Sequence, residues 1–290
     1  MSEWVLGVIG GTGLYDIEGL ENRRTHRIST PWGDPSDELM TGELYGVRLV
    51  FLPRHGRGHR LSPSRINARA NIDALKRLGC TDVLSISAVG SLKLELEPGV
   101  FVAVDQYIDR TFAREKSFFG DGVVAHVSIA HPVCPRLASL AAEAAREAGA
   151  PTVEGGTYLC MEGPQFSTKA ESLLYRSWGC DVIGMTNMPE AKLAREAELP
   201  YASVCMVTDY DCWHDDVGPV AITDVLKVMQ DNAARARELI RRLAAKLVGE
   251  RAPSPIDTCL DGAIVTAAGA RDPELVTKLD AVAGRVLGRS

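Results

Sequence analysis

Short apolar runs and amphipathic segments alternate along the whole chain. Runs such as 4–9 and 202–207 stop abruptly at glycines or polar residues, which is typical of buried strands. Between the runs, segments such as 67–78 and 135–149 have apolar residues at helical spacing and end at a glycine. No repeat, low-complexity segment or linker divides the chain. We therefore predict an α/β fold, a single domain over residues 1–290 with a central mixed, largely parallel β-sheet flanked by helices.

The same patterns predict the remaining elements. Further strands are expected at 47–52, 83–87, 100–104, 156–161, 181–184 and 262–266. Further helices are expected at 168–178, at 222–247 and at 273–287. Another is expected to begin in the segment 185–190 and to run through Arg195. The small residues at 88–91 are predicted to form a loop suited to an oxyanion, and 105–109 to lead into a loop. Residues 110–131 are predicted to be irregular, as in a lid or a subunit contact.

Composition and charge exclude several classes of protein. The net charge is −6 without a basic block, which argues against duplex nucleic acid as a partner. No apolar run approaches the roughly 20 residues of a membrane span, and the N-terminus lacks the basic region of a signal peptide. The seven cysteines are scattered, with no C-x-x-C and no zinc spacing. Free thiols, a cytoplasmic location and the absence of a metal are therefore expected.

Two carboxylates follow the apolar run that ends near residue 207. Thr208, Asp209, Tyr210 and Asp211 come directly after it. In open α/β sheets ligands bind outside the carboxyl ends of the strands. A carboxylate placed there can accept from an exocyclic amine, or donate a proton if burial raises its pKa. The alternative is a strand end followed by an Asx-type turn without a site.

Two further loops are suited to an anion. The first strand is followed by glycines 10, 11 and 13 around Thr12, whose backbone N–H groups and hydroxyl can approach an anion closely. The third glycine of a dinucleotide fingerprint is missing, since Asp16 stands in its place, and there is no Walker A lysine. The second strand ends in a basic segment, 53–60, in which Arg54 and His55 offer donors to phosphate oxygens. A plain turn and a solvated basic loop are the alternatives.

Six motifs follow one another along the chain. They are Gly10-Gly11-Thr12-Gly13, Arg54-His55-Gly56, Ser87-Ala88-Val89-Gly90-Ser91, Glu162-Gly163-Pro164, Met185-Thr186-Asn187-Met188-Pro189-Glu190 and Thr208-Asp209-Tyr210-Asp211-Cys212-Trp213. In this order they resemble the purine nucleoside phosphorylase superfamily, most closely its 5′-methylthioadenosine phosphorylases. The resemblance covers roughly residues 5 to 250 and leaves about 40 residues as a C-terminal extension. It implies phosphorolysis of S-methyl-5′-thioadenosine to adenine and 5-methylthioribose 1-phosphate. It also implies a homotrimer that takes a nucleoside and inorganic phosphate as substrates, without a metal or organic cofactor.

The resemblance assigns roles residue by residue. The implied phosphate-binding positions are Thr12, Arg54, His55, Ser87, Ala88 and Thr186. The implied nucleoside-binding positions are Met185 near the ribose, Phe166 against the nucleoside, and Asp209, Tyr210 and Asp211 at the base. Ser167 would tune specificity near the sugar. A pocket for the 5′-methylthio group would be formed by the apolar residues Ile222, Val225 and Leu226, which recur at helical spacing. The same spacing is also typical of a helix that faces the core. His59 and His126 match positions near the site, His126 near the 5′ group and across a subunit boundary.

The predicted chemistry depends mainly on Asp209. As a protonated acid it would donate to N7 of the departing purine, and the carboxylate pair would favour a 6-amino group over a 6-oxo group. The alternatives are a 6-oxopurine or methylthioinosine phosphorylase, a dinucleotide-dependent oxidoreductase, and a nucleotide-binding module without catalysis. Asp209 argues against the first alternative, the missing glycine against the second, and the full set of phosphate-side residues against the third.

Overall fold

The chain folds into one sheet with helices packed against it. The computed structural model describes residues 3–214 and 222–288, except for the side chains of Thr12, residues 222–227 and Met229. The strands in this part of the chain are β1 Val5–Gly10, β2 Glu21–His26, β3 Leu39–Leu44, β4 Val47–Pro53, β5 Asp82–Ser91, β6 Phe101–Val104, β7 Gln106–Asp109, β8 Thr152–Glu154, β9 Thr157–Cys160, β10 Val182–Gly184 and β11 Tyr201–Asp209. The helices are α1 Ala68–Arg77, α2 Pro135–Glu147, α3 Lys169–Ser177, α4 Asn187–Glu196, α5 Ile222–Lys246, α6 Pro273–Lys278 and α7 Asp280–Leu287.

Local sequence signals set several helix ends. The Asn67 side chain accepts from the backbone N–H of Ala70 at the start of α1, and Gly79 follows its end at φ +81°. Thr168 and Glu171 form a reciprocal capping box at the start of α3. These signals explain why the helices predicted at 67–78 and 168–178 are confirmed.

The sheet is mixed and largely parallel, as predicted. Strand β1 pairs in parallel with β4 and β5, β5 with β11, β9 with β7 and β10, and β6 with β8. The pairs β2–β3, β3–β4, β5–β10 and β6–β11 are antiparallel. Strand β5 lies at the branch point, since it contacts β1, β10 and β11.

The core has a layer on each face of the sheet. Consecutive residues Val83 and Leu84 of β5 belong to different buried clusters because side chains alternate across a strand. One cluster includes Leu75 of α1 and Leu193 of α4, and the other includes Leu239 of α5 with residues of α2. Each fully buried aliphatic side chain of this kind contributes on the order of 1.5–3 kcal/mol of transfer free energy.

Several sequence predictions about elements are wrong. Residues 88–91 are not a loop but the end of β5, because they pair with β10 and β11. Residues 106–109 form the strand β7, paired with β9. The segment 262–266 has only an isolated bridge between Ile264 and Ala125, and the helix predicted at 273–287 is broken at Leu279. Strand β2, which pairs antiparallel with β3, is absent from the predicted elements because it is exposed and carries mostly polar and charged side chains instead of an apolar run.

The C-terminal residues pack onto the core. Leu260, Leu279 and Val282 are buried in the same cluster as α1 and α4. All seven cysteines are free thiols, as expected from their spacing. None of the described helices combines the length and the apolar character that crossing a membrane requires.

Candidate active site

The strand pair β5 and β11 delivers Asp209 to the carboxyl edge of the sheet. The two strands run parallel, and the register shifts between Val207 and Asp209, so that Asp209 lies opposite Gly90. One oxygen of Asp209, Oδ1, accepts from the backbone N–H of Asp211 at 2.8 Å, and Oδ2 accepts from the hydroxyl of Thr208 at 2.7 Å. Burial raises the pKa of Asp209, although these two hydrogen bonds act in the opposite direction. This carboxyl therefore retains a proton to a higher pH than an ordinary aspartic acid.

Gly90, which lies opposite Asp209 on β5, leaves room for this carboxylate. A Cβ at position 90 would lie 3.0 Å from Oδ1 of Asp209 and 3.1 Å from a methyl group of Ile183. A side chain at this position would crowd the Asp209 carboxylate and Ile183, which would have to shift. Gly90 therefore gives Asp209 its place, which is a positional role that the sequence motif alone does not explain.

The second carboxylate, Asp211, lies beside the first. It is buried and has a positive φ of 51°. Burial raises the pKa of Asp211, and the charge of Asp209 adds to this effect. The Cys212 thiol next to it donates to the backbone carbonyl of Ser167 at 3.2 Å. The predicted specificity residue Ser167 is thus brought close to the carboxylate pair.

Tyr210 has different surroundings from its two neighbours. Its hydroxyl donates to the carbonyl of Leu94 at 3.1 Å, and its ring packs edge-on against Trp213. The described contacts of its side chain do not include Asp209 or Asp211. The structure therefore does not join Tyr210 to the carboxylate pair, and its role at the base remains a prediction.

The predicted phosphate loops meet at the ends of β1 and β4. The backbone N–H of Arg54 donates to the carbonyl of Gly10 at 3.0 Å, which links the glycine loop to the basic loop. Thr12 begins a short 3₁₀ helix, but its side chain lies outside the described part of the chain. The two loops predicted separately from the sequence are therefore neighbours.

The guanidinium of Arg54 is more fully engaged than the sequence predicts. It is buried, and it pairs with Glu190 through Nε–Oε2 at 2.9 Å and Nη2–Oε1 at 3.1 Å. It also donates to the carbonyls of Ile86 and Ile9 and to the Ser85 hydroxyl. Its fork, which we expected to face an anion, is thus occupied by Glu190. Of its five N–H groups, these bonds leave one on Nη1 for a ligand.

His55 is held in a neutral form. Its Nδ1 lies 2.8 Å from the carbonyl of Leu61, so Nδ1 carries the proton and Nε2 is left as an acceptor. Burial lowers its pKa to about 4, and its ring stacks on that of His59 with the centroids 4.1 Å apart. In this form the imidazole has no N–H left to offer to phosphate near neutral pH, and the assignment of His55 to the phosphate site stays a prediction. Only the backbone N–H of His55 remains as a donor.

Hydroxyl groups of β5 and of the loop before α4 line the same region. The Ser87 hydroxyl lies 3.4 Å from Oδ1 of Asn187, and the Asn187 amide donates to Ser203 at 2.6 Å. Oγ1 of Thr186 is buried and has no hydrogen-bond partner among the described residues. An unpaired buried hydroxyl is costly unless a ligand satisfies it. Ala88 follows Ser87 within β5, opposite Met206 of β11.

The structure describes the surroundings of some of the residues that are predicted to bind the nucleoside. The sulfur of Met185 packs against Gly163, where an added Cβ would lie 2.5 Å from it. Phe166 is half exposed, at 50 %, and the Ser167 hydroxyl contacts the sulfur of Met161 at 3.6 Å. Ile222, Val225 and Leu226 belong to the first turns of α5, but their side chains lie outside the described part of the chain.

The other two histidines that the resemblance places near the site, His59 and His126, lie in different surroundings. His59 has a positive φ of 53° and stacks on His55. His126 is exposed, and its backbone N–H donates to the carbonyl of Ala263. Across the described ranges, no three His, Cys, Asp or Glu side chains are grouped closely enough to hold a metal ion.

Sequence reasoning missed four residues that hold the site together. They are Asn187, Glu190, Arg114 and Glu162, which form buried or partly buried contacts with the predicted site segments. Three of them lie inside motifs already recognised, so their presence in those motifs was the available signal. Their long-range partners are not visible in a single sequence.

Comparison with known proteins gives consistent matches over nearly the whole chain. The family model of the phosphorylase superfamily matches residues 5–245. The S-methyl-5′-thioadenosine phosphorylase of Cereibacter sphaeroides is 64% identical, over 98% of each chain, and that of Bradyrhizobium diazoefficiens is 59% identical, over 99% of each. A solved methylthioadenosine phosphorylase from an antarctic soil metagenomic library is 47% identical with a TM-score of 0.91, covering 97% of this chain and 99% of its own. A methylthioadenosine phosphorylase from Schistosoma mansoni, solved in complex with adenine, is 35% identical with a TM-score of 0.83, covering 91% of this chain and 99% of its own.

Proposed function

The chain belongs to the phosphorylase superfamily, and we propose that it catalyses the phosphorolysis of S-methyl-5′-thioadenosine to adenine and 5-methylthioribose 1-phosphate. It is then a pentosyltransferase. The observation that carries this function is the identity of 64% over 98% of the chain with a relative named for that reaction. The pair Asp209 and Asp211, at the carboxyl end of β11, supplies chemistry that suits it.

The reaction needs charge stabilisation on both sides of the sugar. By analogy with glycoside hydrolysis, the ribose gains positive charge while negative charge develops on the purine as its bond to C1′ breaks. Phosphate attacks C1′, and its negative charge stabilises the sugar. A protonated Asp209 donates to N7, so that the purine leaves as a neutral base. The raised pKa of Asp209, caused by its burial, supports this role.

The phosphate site would be built mainly from backbone and hydroxyl donors. Thr12, Ser87 and Thr186 would contribute hydroxyl groups, and His55 and Ala88 their backbone N–H groups. The unpaired hydroxyl of Thr186 supports a ligand at this position. Arg54 would contribute the one remaining N–H of Nη1 and a nearby positive charge, part of which Glu190 already compensates.

Base and sugar recognition follow from the other half of the site. A carboxylate of the Asp209–Asp211 pair can accept from the 6-amino group of adenine, whereas it would face the oxygen of a 6-oxopurine unfavourably. Met185 would contact the ribose, Phe166 would pack on the nucleoside, and Tyr210 would lie near the base. Ser167 with Ile222, Val225 and Leu226 would favour a methylthio group over a 5′ hydroxyl.

The proposal includes an assembly and a location. Inorganic phosphate is a co-substrate, and no metal or organic cofactor takes part. The chain would work as a homotrimer, for which the exposed Phe112, at 82 %, in the irregular segment 110–131 offers an apolar contact. Seven free thiols support a reducing, cytoplasmic location.

Adenine release from methylthioadenosine, with and without phosphate, tests the function. Methylthioinosine and adenosine serve as matched substrates in the same assay. We expect phosphate-dependent cleavage of methylthioadenosine and a lower kcat/KM for the other two. Preference for methylthioinosine would contradict the role of the carboxylate pair, and cleavage without phosphate would contradict phosphorolysis.

A further inference from the structure

The side chain of Arg114 binds four backbone carbonyls of two different segments. It is almost fully buried, with 6% of the side chain exposed. Its Nη1 donates to the carbonyls of Met185 at 2.6 Å and Met188 at 2.7 Å. Its Nη2 donates to those of Glu162 at 2.7 Å and Met161 at 3.4 Å. One guanidinium therefore joins the segment after β9 to the segment after β10.

The carboxylate of Glu162 completes this arrangement. Its Oε1 accepts from Nε of Arg114 at 3.3 Å and from the Ser64 hydroxyl. Its Oε2 accepts from the backbone N–H groups of Phe112 at 2.6 Å and Ala113 at 3.2 Å. The pair thereby fixes the irregular chain around Arg114 itself. Partial burial raises the pKa of Glu162, but the bonds from Ser64 and the two N–H groups outweigh this and lower it overall, so the carboxylate stays charged.

The joined segments carry predicted substrate contacts. Residues 161–162 precede Phe166 and Ser167, and Met185 precedes Thr186. A peptide group is planar, so its carbonyl and the following N–H move together. Arg114 holds the carbonyl of Met185, and the N–H of Thr186 on the same peptide donates to the Tyr158 hydroxyl at 3.3 Å. The orientation of this peptide is thus set from both sides.

We propose that Arg114 is a positioning residue for the nucleoside, which fixes the Met185–Thr186 peptide against the Glu162 segment. This proposal rests on the proposed function, because only that function assigns contacts with the ribose and the phosphate to the Met185–Thr186 peptide. Arg114 acts through these backbone carbonyls and the Glu162 carboxylate, and the proposal gives it no part in the chemical step. Its planar fork is needed because a lysine ammonium cannot reach four carbonyls and a carboxylate at once.

The test compares Arg114→Lys with Arg195→Lys. Arg195 is a matched control, since it is also buried and donates to two carbonyls, those of Ser128 and His131, at the far end of the same irregular segment. KM for methylthioadenosine and kcat are measured at saturating phosphate, together with Tm and the equilibrium Kd of the nucleoside. We expect Arg114→Lys to raise KM and Kd about tenfold or more, as the loss of charge-assisted bonds to Met185 implies. Arg195→Lys should stay within about twofold while lowering Tm.

Glu162→Gln gives a second route to the same inference. This substitution should also raise KM for methylthioadenosine. In the double variant with Arg114→Lys, the increase in KM should be smaller than the product of the two single increases, because the two residues act as one unit. A KM within twofold of wild type in Arg114→Lys, or an equal rise in Arg195→Lys, would overturn the inference. Failure of the wild-type protein to release adenine would instead defeat the proposed function, so the two failures are distinguishable.

Discussion

Arg54 and Glu190 form a two-pronged ion pair inside the protein, although 136 positions separate them in the sequence. Both side chains are almost completely buried. Tyr201 donates to Oε1 of Glu190 at 2.8 Å and so fixes the carboxylate from the β11 side. A buried pair of this kind stabilises a fold little by itself, but removing one partner leaves an uncompensated charge.

Glu190→Gln should therefore make the stability of the protein depend on bound phosphate. The free energy of unfolding should fall by about 3–5 kcal/mol without phosphate, because Arg54 loses its counter-charge. Bound phosphate would then supply a counter-charge, so the rise of Tm with phosphate should be larger than in wild type. Tyr201→Phe is the control, since it keeps the ion pair, should cost about 1 kcal/mol and should leave the phosphate effect unchanged. Equal Tm shifts in all three proteins would place Arg54 away from the bound anion.

Asp209→Asn should abolish most of the turnover. Asparagine keeps the size and the acceptor for the Asp211 N–H but has no acidic proton, so kcat should fall by about a hundredfold or more. Wild-type activity should decline as pH rises through the raised pKa of Asp209, and this decline should be absent from the residual activity of the variant. Steady-state kinetics across pH checks both expectations, and turnover within about tenfold of wild type would rule out the acid role.

The imidazole of His55 should titrate at about pH 4, because burial lowers its pKa. Since the ordinary pKa of histidine is about 6.5, the unfolded chain takes up a proton on this ring at a higher pH than the folded protein does. The contribution of the neutral ring to the free energy of unfolding is therefore present above pH 6.5 and is lost as pH falls towards 4. The full loss is up to about 3 kcal/mol. His55→Asn, whose amide can donate to Leu61, should remove this loss and keep the KM for phosphate within about threefold, as expected if only the backbone binds the anion. Histidine titration by NMR and denaturation curves check this, and a ring pKa above 6 would contradict it.

Glu196 should give a pH dependence of the opposite sign. Burial raises its pKa to about 7, although it accepts from the Ser117 hydroxyl at 2.8 Å and the Phe118 N–H at 2.7 Å. Its contribution to stability is then present below its unfolded pKa near 4.5 and is lost as pH rises to 7, by up to about 3 kcal/mol. Glu196→Gln can keep both contacts without titrating, so its unfolding free energy should lack this decline. Chemical denaturation at pH 5 and pH 8 provides the measurement, and parallel curves for both proteins would contradict the expectation.

The placement of the carboxylates could be predicted from sequence because it depends on local order. An apolar run followed at once by Asp209 and Asp211 places both at a strand end, and the parallel neighbour β5 brings Gly90 to the same edge. The glycine loop and the basic loop could be found for the same reason. Each signal lies within a few residues.

Contacts between distant residues could not be predicted in this way. Nothing in the local sequence indicates that Glu190 occupies the fork of Arg54 or that Arg114 binds the carbonyl of Met185. The neutral state of His55 depends on burial and on a carbonyl six residues away, which only the folded chain supplies. Strand β2 was missed because its pairing with β3, not its hydrophobicity, defines it.

Gly90 limits how this site can change by mutation. A methyl group at that position would lie 3.0 Å from Oδ1 of Asp209 and 3.3 Å from Cβ of Asp211, so both acidic side chains would have to shift. Variants that retain both carboxylates in their present places should therefore tolerate a side chain at position 90 poorly. A combinatorial library that randomises all three positions together should return functional clones that keep glycine at residue 90 wherever both acidic residues are retained.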